Sequence, residues 1–429
     1  MSGETLALQA GALDAADPLA RFRRQFAHPV GPDDRSALYL CGHSLGLMPL
    51  AARERVQEEI DDWARLGVQG HHTARRPWIE YAERFAAPLA LLAGAREPEV
   101  AAMNALSVNL HLLMASFYRP QGKRRCIVIE AGAFPSDRHA VVSQIQWHGL
   151  AVEDALIELA PEPGATDCDE TQLEDLLQTR GDEIALVLWP GVQYLSGRSF
   201  DLSRIAHATR CAGSYCGFDL AHAIGNLPLQ LHDDGADFAS WCSYKYLNAG
   251  PGAIAGVFVH EQHSRARLPG LAGWWGHDPA TRFRMGPEFL PAAGAAAWQI
   301  SNPPVLSAAP LLASLPIFEA AGIEALRAKS LQMTSLLLEE LDRRFAADVE
   351  VITPRVGAQR GNQLSLRLRA GPDAGRRAFD ALGRSGVVAD WREPDVLRLS
   401  FAPLYNSFSD VARFCSALSA ALAAPGRPA

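Results

Sequence analysis

The sequence predicts an α/β fold in which a large domain with a mainly parallel sheet is followed by a smaller α+β domain. Between about residues 99 and 259, short apolar runs alternate with segments of helical period, as in a parallel sheet covered by helices. One run, residues 184–189 (IALVLW), is continuously apolar, which is typical of a strand buried on both faces. After Pro303 the alternation gives way to a long helical stretch and then short strands.

The predicted elements follow in chain order. In the first part we expect strands at residues 125–130, 184–189, 215–219, 238–242 and 253–259, and helices at 104–118, 136–148, 171–180 and 202–211. In the second part we expect helix at 308–345, broken near Gly322, and at 373–385, with strands at 349–353, 363–369, 387–391 and 396–401. A closing helix covers 407–424, with Ser407 and Asp410 forming a variant capping box. The predicted units are an N-terminal arm with helices (1–100), a large domain (101–302) and a small domain (303–429).

Length and charge exclude several classes of protein. The 429 residues suffice for two to three domains with a large core. The net charge of −8, from 40 basic and 48 acidic residues, disfavours binding to nucleic acid or to an anionic membrane. No run of 18 apolar residues predicts a membrane span. The first twenty residues carry acids and no early Lys or Arg, so they do not resemble a secretory signal peptide.

The cysteines predict neither a disulfide framework nor a zinc ribbon. There are seven, an odd number, and none lies in a C-x-x-C pair. We therefore expect reduced, buried cysteines and a cytoplasmic location. His232, Asp233 and Asp234 are adjacent in sequence, and such neighbours rarely converge on one ion, so we expect a solvated loop there and no metal.

Two segments are candidates for binding a ligand. Ser107 is placed to cap the helix at 104–118, whose N-terminus would suit a phosphate; a capped core helix is the simpler interpretation of this segment alone. Phe134 lies on a loop after a predicted strand, and Pro135 and Ser136 begin the next helix. Its ring could stack on an aromatic ligand or staple that helix, and the sequence does not separate the two.

The densest group of reactive residues lies at the ends of two predicted strands. Asp219 ends one strand, His222 follows it, and Ser243-Tyr244-Lys245 follows the next. A lysine in such a crevice can form a Schiff base, and a carboxylate can pair with a protonated heterocyclic nitrogen. With a phosphate-ready helix nearby, this is the pattern of a pyridoxal phosphate site. Arg398, on a later strand, offers a bidentate grip on a carboxylate or is a solvated strand arginine.

The chain resembles the kynureninases, pyridoxal phosphate enzymes of fold type I. The resemblance spans residues 41–408 and rests on the segments CGHSLGLMP, GHHTARRPW, NALSVNLHLLMASFY, AFPSDRHA, GFDLAHAIGN, WCSYKYLNAGPG, GWWGH, ISNPP and LRLSFAPLYNSF. It implies that Lys245 carries the cofactor, that Asp219 holds the pyridine nitrogen with His222 beside it, and that Tyr244 reaches the phosphate and relays protons. The other implied cofactor contacts are Leu106, Ser107, Phe134, Pro135, Ser136 and Asp137, with Trp274 and Asn302 contributed by the partner subunit of a homodimer.

The resemblance also implies the reaction. The substrate would be kynurenine or 3-hydroxykynurenine, whose Cβ–Cγ bond is hydrolysed to give L-alanine and anthranilate or 3-hydroxyanthranilate. Arg398 would hold its α-carboxylate. His71, Ser301 and Asn302 match the pattern of enzymes that prefer the 3-hydroxy substrate, which belongs to tryptophan catabolism leading to NAD. The alternatives are another fold type I enzyme, such as an aminotransferase or a cysteine desulfurase, or a binding protein that keeps the fold without catalysis. The desulfurase is disfavoured because only Cys415 follows Cys242, inside the closing helix.

Overall fold

The computed structural model of the chain describes residues 3–264 and 268–423. Its strands are β1 (Leu38–Tyr39), β2 (Val100–Ala102), β3 (Cys126–Glu130), β4 (Leu156–Leu159), β5 (Ile184–Pro190), β6 (Tyr215–Asp219), β7 (Phe238–Trp241), β8 (Gly256–Val259), β9 (Val349–Val351), β10 (Gln363–Leu368), β11 (Val387–Val388), β12 (Asp390–Arg392) and β13 (Val396–Ser400). Its α-helices are α1 (Gly3–Ala16), α2 (Ala51–Leu66), α3 (Gly70–Thr73), α4 (Ala86–Ala93), α5 (Leu106–Phe117), α6 (Pro135–Trp147), α7 (Val152–Ala155), α8 (Glu170–Arg180), α9 (Leu202–Cys211), α10 (Leu231–Asp234), α11 (Val305–Ala321), α12 (Ile323–Arg344), α13 (Pro372–Arg384) and α14 (Phe408–Ala423).

The large sheet has seven strands in the order β2-β8-β7-β6-β5-β3-β4. Strands β3 to β7 run parallel to one another, and β8 is antiparallel to both β7 and β2. Successive residues of one strand enter different hydrophobic clusters: Val187 faces one cluster and Leu186 the other. Both faces of the sheet are therefore covered, as the apolar run of β5 predicts.

The C-terminal part forms a second sheet with its own core. Its four antiparallel strands are ordered β12-β13-β10-β9. Residues of α12, α13 and α14 form one hydrophobic cluster with this sheet, and Leu6 and Ala10 of α1 join them. The two-residue strand β1 pairs in parallel with β11, which ties the N-terminal arm to this part of the chain. The predicted fold, a mainly parallel sheet followed by a smaller α+β unit, is confirmed.

Several boundaries differ from the prediction. The segment 387–391, predicted as one strand, is divided between β11, which pairs with β1, and β12, which joins the antiparallel sheet. The strand predicted at 253–259 begins only at Gly256, and residues 253–255 connect it to a turn at 251–252. Strands β1, β2 and β4 are absent from the prediction because each is too short to show a period. The domain limits at residues 100 and 302 stay a prediction.

The start of the closing helix agrees with its predicted capping. The Ser407 N–H donates to Asp410 Oδ2 at 3.1 Å, and the Asp410 N–H donates to Ser407 Oγ at 3.3 Å. The described part of this helix ends at Ala423, and Ala424 lies outside the described residues. All seven cysteines are free, and six are buried. The expectation of burial is wrong for Cys211, which lies exposed at the end of α9.

A helix that crosses a membrane must be long and predominantly apolar. None of them is by itself long and apolar enough. Helices α11 and α12 satisfy the length and composition requirement only together, and they are bent by 79° at Gly322.

Candidate active site

A cavity of about 290 Å³ lies at the carboxyl ends of the parallel strands. Strands β3, β5 and β6 end at its wall with Glu130, Pro190 and Asp219, and the loop after β7 adds Tyr244 and Lys245. The N-terminal turns of α5 and α6 close another side. This is the edge of an open α/β sheet where ligands bind. The predicted cofactor contacts that line the cavity are Leu106, Ser107, Phe134, Ser136, Asp137, Asp219, His222, Tyr244 and Lys245.

The start of α5 differs from the prediction. Ser107 is not the capping residue: Ala105 holds that position in an extended conformation, with no side-chain cap, and Ser107 is the second residue of the helix. The first backbone bond of this helix runs from the Asn109 N–H to the Ala105 carbonyl. The N–H groups of Leu106 and Ser107 precede that bond and so have no acceptor within the helix, and both residues line the cavity. An uncapped helix end with a hydroxyl beside it suits a phosphate better than a capped one.

Two buried carboxyl groups face each other in the cavity. Asp137 lies in the first turn of α6 and Asp219 at the end of β6. The two residues are 6% and 8% exposed. Burial, together with the charge of Asp219 beside it, holds the pKa of Asp137 well above its ordinary value. Asp219 Oδ1 is fixed by the Ala221 N–H at 2.7 Å. Asp219 thus presents a carboxyl group that can pair with a protonated ring nitrogen, with Asp137 directly beside it.

The amine of Lys245 lies between aromatic rings. Its Nζ is 5.8 Å from the centre of the Phe134 ring and 5.9 Å from that of Tyr244. The Phe134 ring is 37% exposed and meets Tyr194 edge to face at 5.1 Å, so it forms a wall of the cavity instead of stapling α6. Burial, together with nearby Cys242, raises the pKa of the Tyr244 hydroxyl, which therefore remains a neutral donor.

His222 also lines the cavity. It is buried, and its Nδ1 has no hydrogen-bond partner among the described residues. Burial, reinforced by the positive charge of Lys245, holds the pKa of His222 well below its ordinary value. The imidazole is therefore neutral and retains one nitrogen that a ligand can satisfy.

Arg398 is buried and is bound to Asp390 and to Tyr194, which lines the cavity. Its side chain is 1% exposed; Nη1 donates to the Tyr194 carbonyl oxygen at 2.6 Å, and Nε donates to Asp390 Oδ2 at 2.6 Å. Nη2 contacts the same carboxylate oxygen. Asp390 and Arg398 are direct partners in the register of β12 and β13, so the backbone fixes the pair. The interpretation of Arg398 as a solvated strand residue is wrong.

Some predicted site residues lie elsewhere. Pro135 is the first residue of α6 and does not line the cavity, although its neighbours do. Trp274 is 49% exposed, with its Nε1–H bound to the Arg282 carbonyl, and Ser301 and Asn302 are exposed. His71 lies on α3 with its ring edge to face with Trp78 at 5.5 Å. None of these five residues lines the cavity of its own chain.

The structure also adds residues that the sequence analysis did not select. Glu130 lines the cavity, and burial, with the charge of Asp167 nearby, raises its pKa to about 8. Tyr194 joins the aromatic wall to Arg398. His43 lies within the quoted segment CGHSLGLMP, and its ring is 6.4 Å from that of His222. A polar residue in a motif without an assigned role was the only sequence signal for His43.

The chain is similar to proteins of one family over nearly its whole length. A family model described as the kynureninase C-terminal domain matches residues 326–418. The kynureninase of Xanthomonas euvesicatoria is 53% identical over 414 residues, which are 96% of this chain and 97% of the relative. The kynureninase of Xanthomonas axonopodis is 53% identical over 416 residues, covering 97% and 98%. The chain belongs to the kynureninase family.

Solved structures agree on the fold. A mutant of C-DES with glycine covalently linked to its PLP cofactor has a TM-score of 0.77 at 16% identity, covering 92% of this chain and 98% of that one. The cysteine desulfurase of Thermococcus onnurineus has a TM-score of 0.74 at 17% identity, covering 92% and 96%. The chain therefore has the fold type I architecture, and its cofactor is pyridoxal phosphate. The uncapped helix, the Asp137–Asp219 pair, the unpartnered His222 nitrogen and the Lys245 amine fit that cofactor.

A group of possible metal ligands lies at the other end of β7. His232 Nδ1 is 2.9 Å from Glu99 Oε1, and the His260 ring stacks on that of His232 at 4.9 Å. Glu99 Oε1 also accepts the Glu261 N–H, and His260 Nδ1 accepts the Gln262 N–H. Protein donors therefore satisfy these atoms without an ion. The expectation of a loop is wrong here, because residues 231–234 form the short helix α10.

Proposed function

We propose that this chain hydrolyses the Cβ–Cγ bond of kynurenine or 3-hydroxykynurenine, releasing L-alanine and anthranilate or 3-hydroxyanthranilate. The observation that carries the proposal is the cavity in which an amine, a carboxyl pair and a helix N-terminus meet beside a buried arginine. The names of the relatives support the same reaction. Bound pyridoxal phosphate supplies the electron sink that carbon–carbon cleavage requires.

The residues of the chain would bind the cofactor and transfer the protons. Lys245 would hold the cofactor and move the proton of the substrate Cα. The Asp219 carboxylate, with Asp137 beside it, would keep the ring nitrogen protonated. Phe134 would cover one ring face, and the N-terminus of α5 with Ser107 would bind the phosphate. Tyr244, a neutral phenol in the free enzyme, would first donate its proton and then, as the phenolate, accept a proton from the attacking water.

The amino-acid end of the substrate would be held by Arg398. Its buried guanidinium has five N–H donors, and three of them contact Asp390 and the Tyr194 carbonyl. Two donors remain for the α-carboxylate. Because the guanidinium is 1% exposed, the substrate must enter a closed subsite, which favours one orientation of the amino acid.

A homodimer would complete the site. The stretch around Trp274 exposes several large apolar side chains, which is unusual for a free surface: Leu271, Trp274, Phe283, Met285, Phe289 and Leu290. We propose that this surface meets a second copy of the chain and that Trp274 and Asn302 reach the partner's cofactor. His71, Ser301 and Asn302 would then bind the ring of the substrate and favour the 3-hydroxy form. This preference would place the enzyme in the route from tryptophan to NAD. We expect the enzyme to act in the cytoplasm.

A cysteine desulfurase is disfavoured by the position of Cys415. That reaction needs a reactive thiol on a loop, whereas Cys415 is fully buried in α14 and burial raises its pKa to about 12.

The test is a direct assay of the purified holoenzyme. We expect kynurenine to yield fluorescent anthranilate and L-alanine in equal amounts. Release of sulfide from cysteine, or transamination, without anthranilate formation would contradict the proposal.

A further inference from the structure

His43 lies buried beside the candidate site. Its imidazole has no hydrogen-bond partner in the part of the chain that the structure describes. The residue is 0% exposed, and within residues 3–264 and 268–423 neither of its ring nitrogens is hydrogen-bonded. Leaving a buried donor unpaired is costly, so native structures rarely do so without a reason. A ligand that completes the bonding is one such reason.

The turn that carries His43 is fastened to the loop of Lys245. The Gly46 N–H donates to the Tyr244 carbonyl at 2.8 Å. A side chain at Gly46 would collide with the Lys245 carbonyl and with Asn248, so only glycine allows this close approach. The turn therefore holds the His43 ring at the candidate site, 6.4 Å from the ring of His222.

His43 faces the same carboxylate that Arg398 binds. Its Nε2 is 3.8 Å from Asp390 Oδ2, too far for a hydrogen bond, while Arg398 Nε is 2.6 Å from that oxygen. His43 and Arg398 thus both face the carboxylate of Asp390. Burial lowers the pKa of His43 to about 4, so the imidazole is neutral and has one N–H to donate.

We propose that His43 determines specificity for the amino-acid end of the substrate by donating a hydrogen bond, beside Arg398, to the α-carboxylate. The inference rests on the proposed function, in which that carboxylate enters the Arg398 subsite. It gives the unpartnered imidazole an acceptor. A neutral donor adds affinity for an anion without adding a second buried charge, which would be costly in this setting.

The experiment measures amino-acid binding without turnover. L-Alanine is titrated into the holoenzyme and followed by the cofactor absorbance, with L-alaninamide as the ligand that lacks a carboxylate. His43→Phe keeps an aromatic ring and removes both nitrogens, and His43→Gln retains a donor near the position of Nε2. We expect His43→Phe to weaken L-alanine binding about tenfold, with alaninamide affinity unchanged and His43→Gln close to wild type.

Two results would overturn the proposal. One is L-alanine affinity in His43→Phe equal to that of wild type; the other is equal weakening for L-alanine and alaninamide, which would indicate a packing role. If His43→Phe loses its cofactor band, His43→Met replaces it, because Met and Gln have similar shapes and differ in the donor; equal affinities would then reject the role. Since no kynurenine is turned over, failure of the proposed reaction remains distinguishable from failure of this inference.

Discussion

Replacing Arg398 by lysine tests the carboxylate subsite, because the substitution reduces the number of N–H donors available to the substrate. Arginine offers five N–H groups and lysine three. In the structure three donors of Arg398 contact Asp390 and the Tyr194 carbonyl, which leaves two for a substrate carboxylate. A lysine that bonded once to Asp390 and once to Tyr194 would keep one. The substrate would lose one charge-assisted hydrogen bond, worth about 1.5–3 kcal/mol, which corresponds to a rise in KM of about 10- to 150-fold.

The assay is steady-state hydrolysis of kynurenine, with the cofactor absorbance recorded on the same preparation. We expect KM to rise while the cofactor spectrum is preserved, because Arg398 does not line the cofactor cavity. Arg367→Lys is the matched control: Arg367 lies on β10 of the same sheet, is 40% exposed and pairs with Asp395. An unchanged KM in Arg398→Lys, or an equal change in both variants, would refute the donor count.

Three further predictions address the rest of the site. Lys245→Ala should abolish turnover, and borohydride reduction followed by mass spectrometry should place the cofactor adduct of the wild type on Lys245; an adduct on another lysine would reject the assignment. His71→Phe should reduce the ratio of kcat/KM for 3-hydroxykynurenine over kynurenine, and an unchanged ratio in steady-state assays would remove His71 from the ring pocket. Asp390→Asn should lower the free energy of unfolding at pH 7 by about 2–3 kcal/mol, because it leaves a buried guanidinium without its ion-pair partner. Although burial alone would raise the pKa of Asp390, the positive charge of the adjacent Arg398 helps to hold it well below its ordinary value. The stability that Asp390 contributes is therefore full above about pH 4, the ordinary pKa of an aspartate, and is lost as the pH falls towards the lowered pKa. In urea titrations the gap between wild type and Asp390→Asn should close in acid, and a gap independent of pH would contradict the ion-pair argument.

The sequence was sufficient for the parts of the molecule in which one strand or helix carries its own signal. The run IALVLW has no polar position, which predicts a strand covered on both sides, and it forms β5, an interior strand between β6 and β3. Asp219 and Lys245 could be placed in one crevice because each follows a parallel strand, and such strands end at one edge.

The parts that could not be predicted depend on contacts between distant segments. Strands β1 and β11 have two residues each, too few to show alternation, and they pair across most of the chain. The pairing of Asp390 with Arg398 follows from the register of β12 and β13, which sequence spacing does not reveal. Ser107 was a plausible cap, but the capping position lies two residues earlier, at Ala105, so the Ser107 hydroxyl does not serve as the cap.

The pairing of β1 with β11 has a consequence for the order in which the enzyme assembles. His43 follows β1 and Asp390 follows β11, so both residues reach their places only when this short parallel pair has formed. The large sheet takes all its strands from the segment between Val100 and Val259, and closing a contact from residue 38 to residue 387 requires a far longer loop. We expect the arm to dock after the large sheet has folded. During refolding, affinity for the cofactor would then return before affinity for an amino acid.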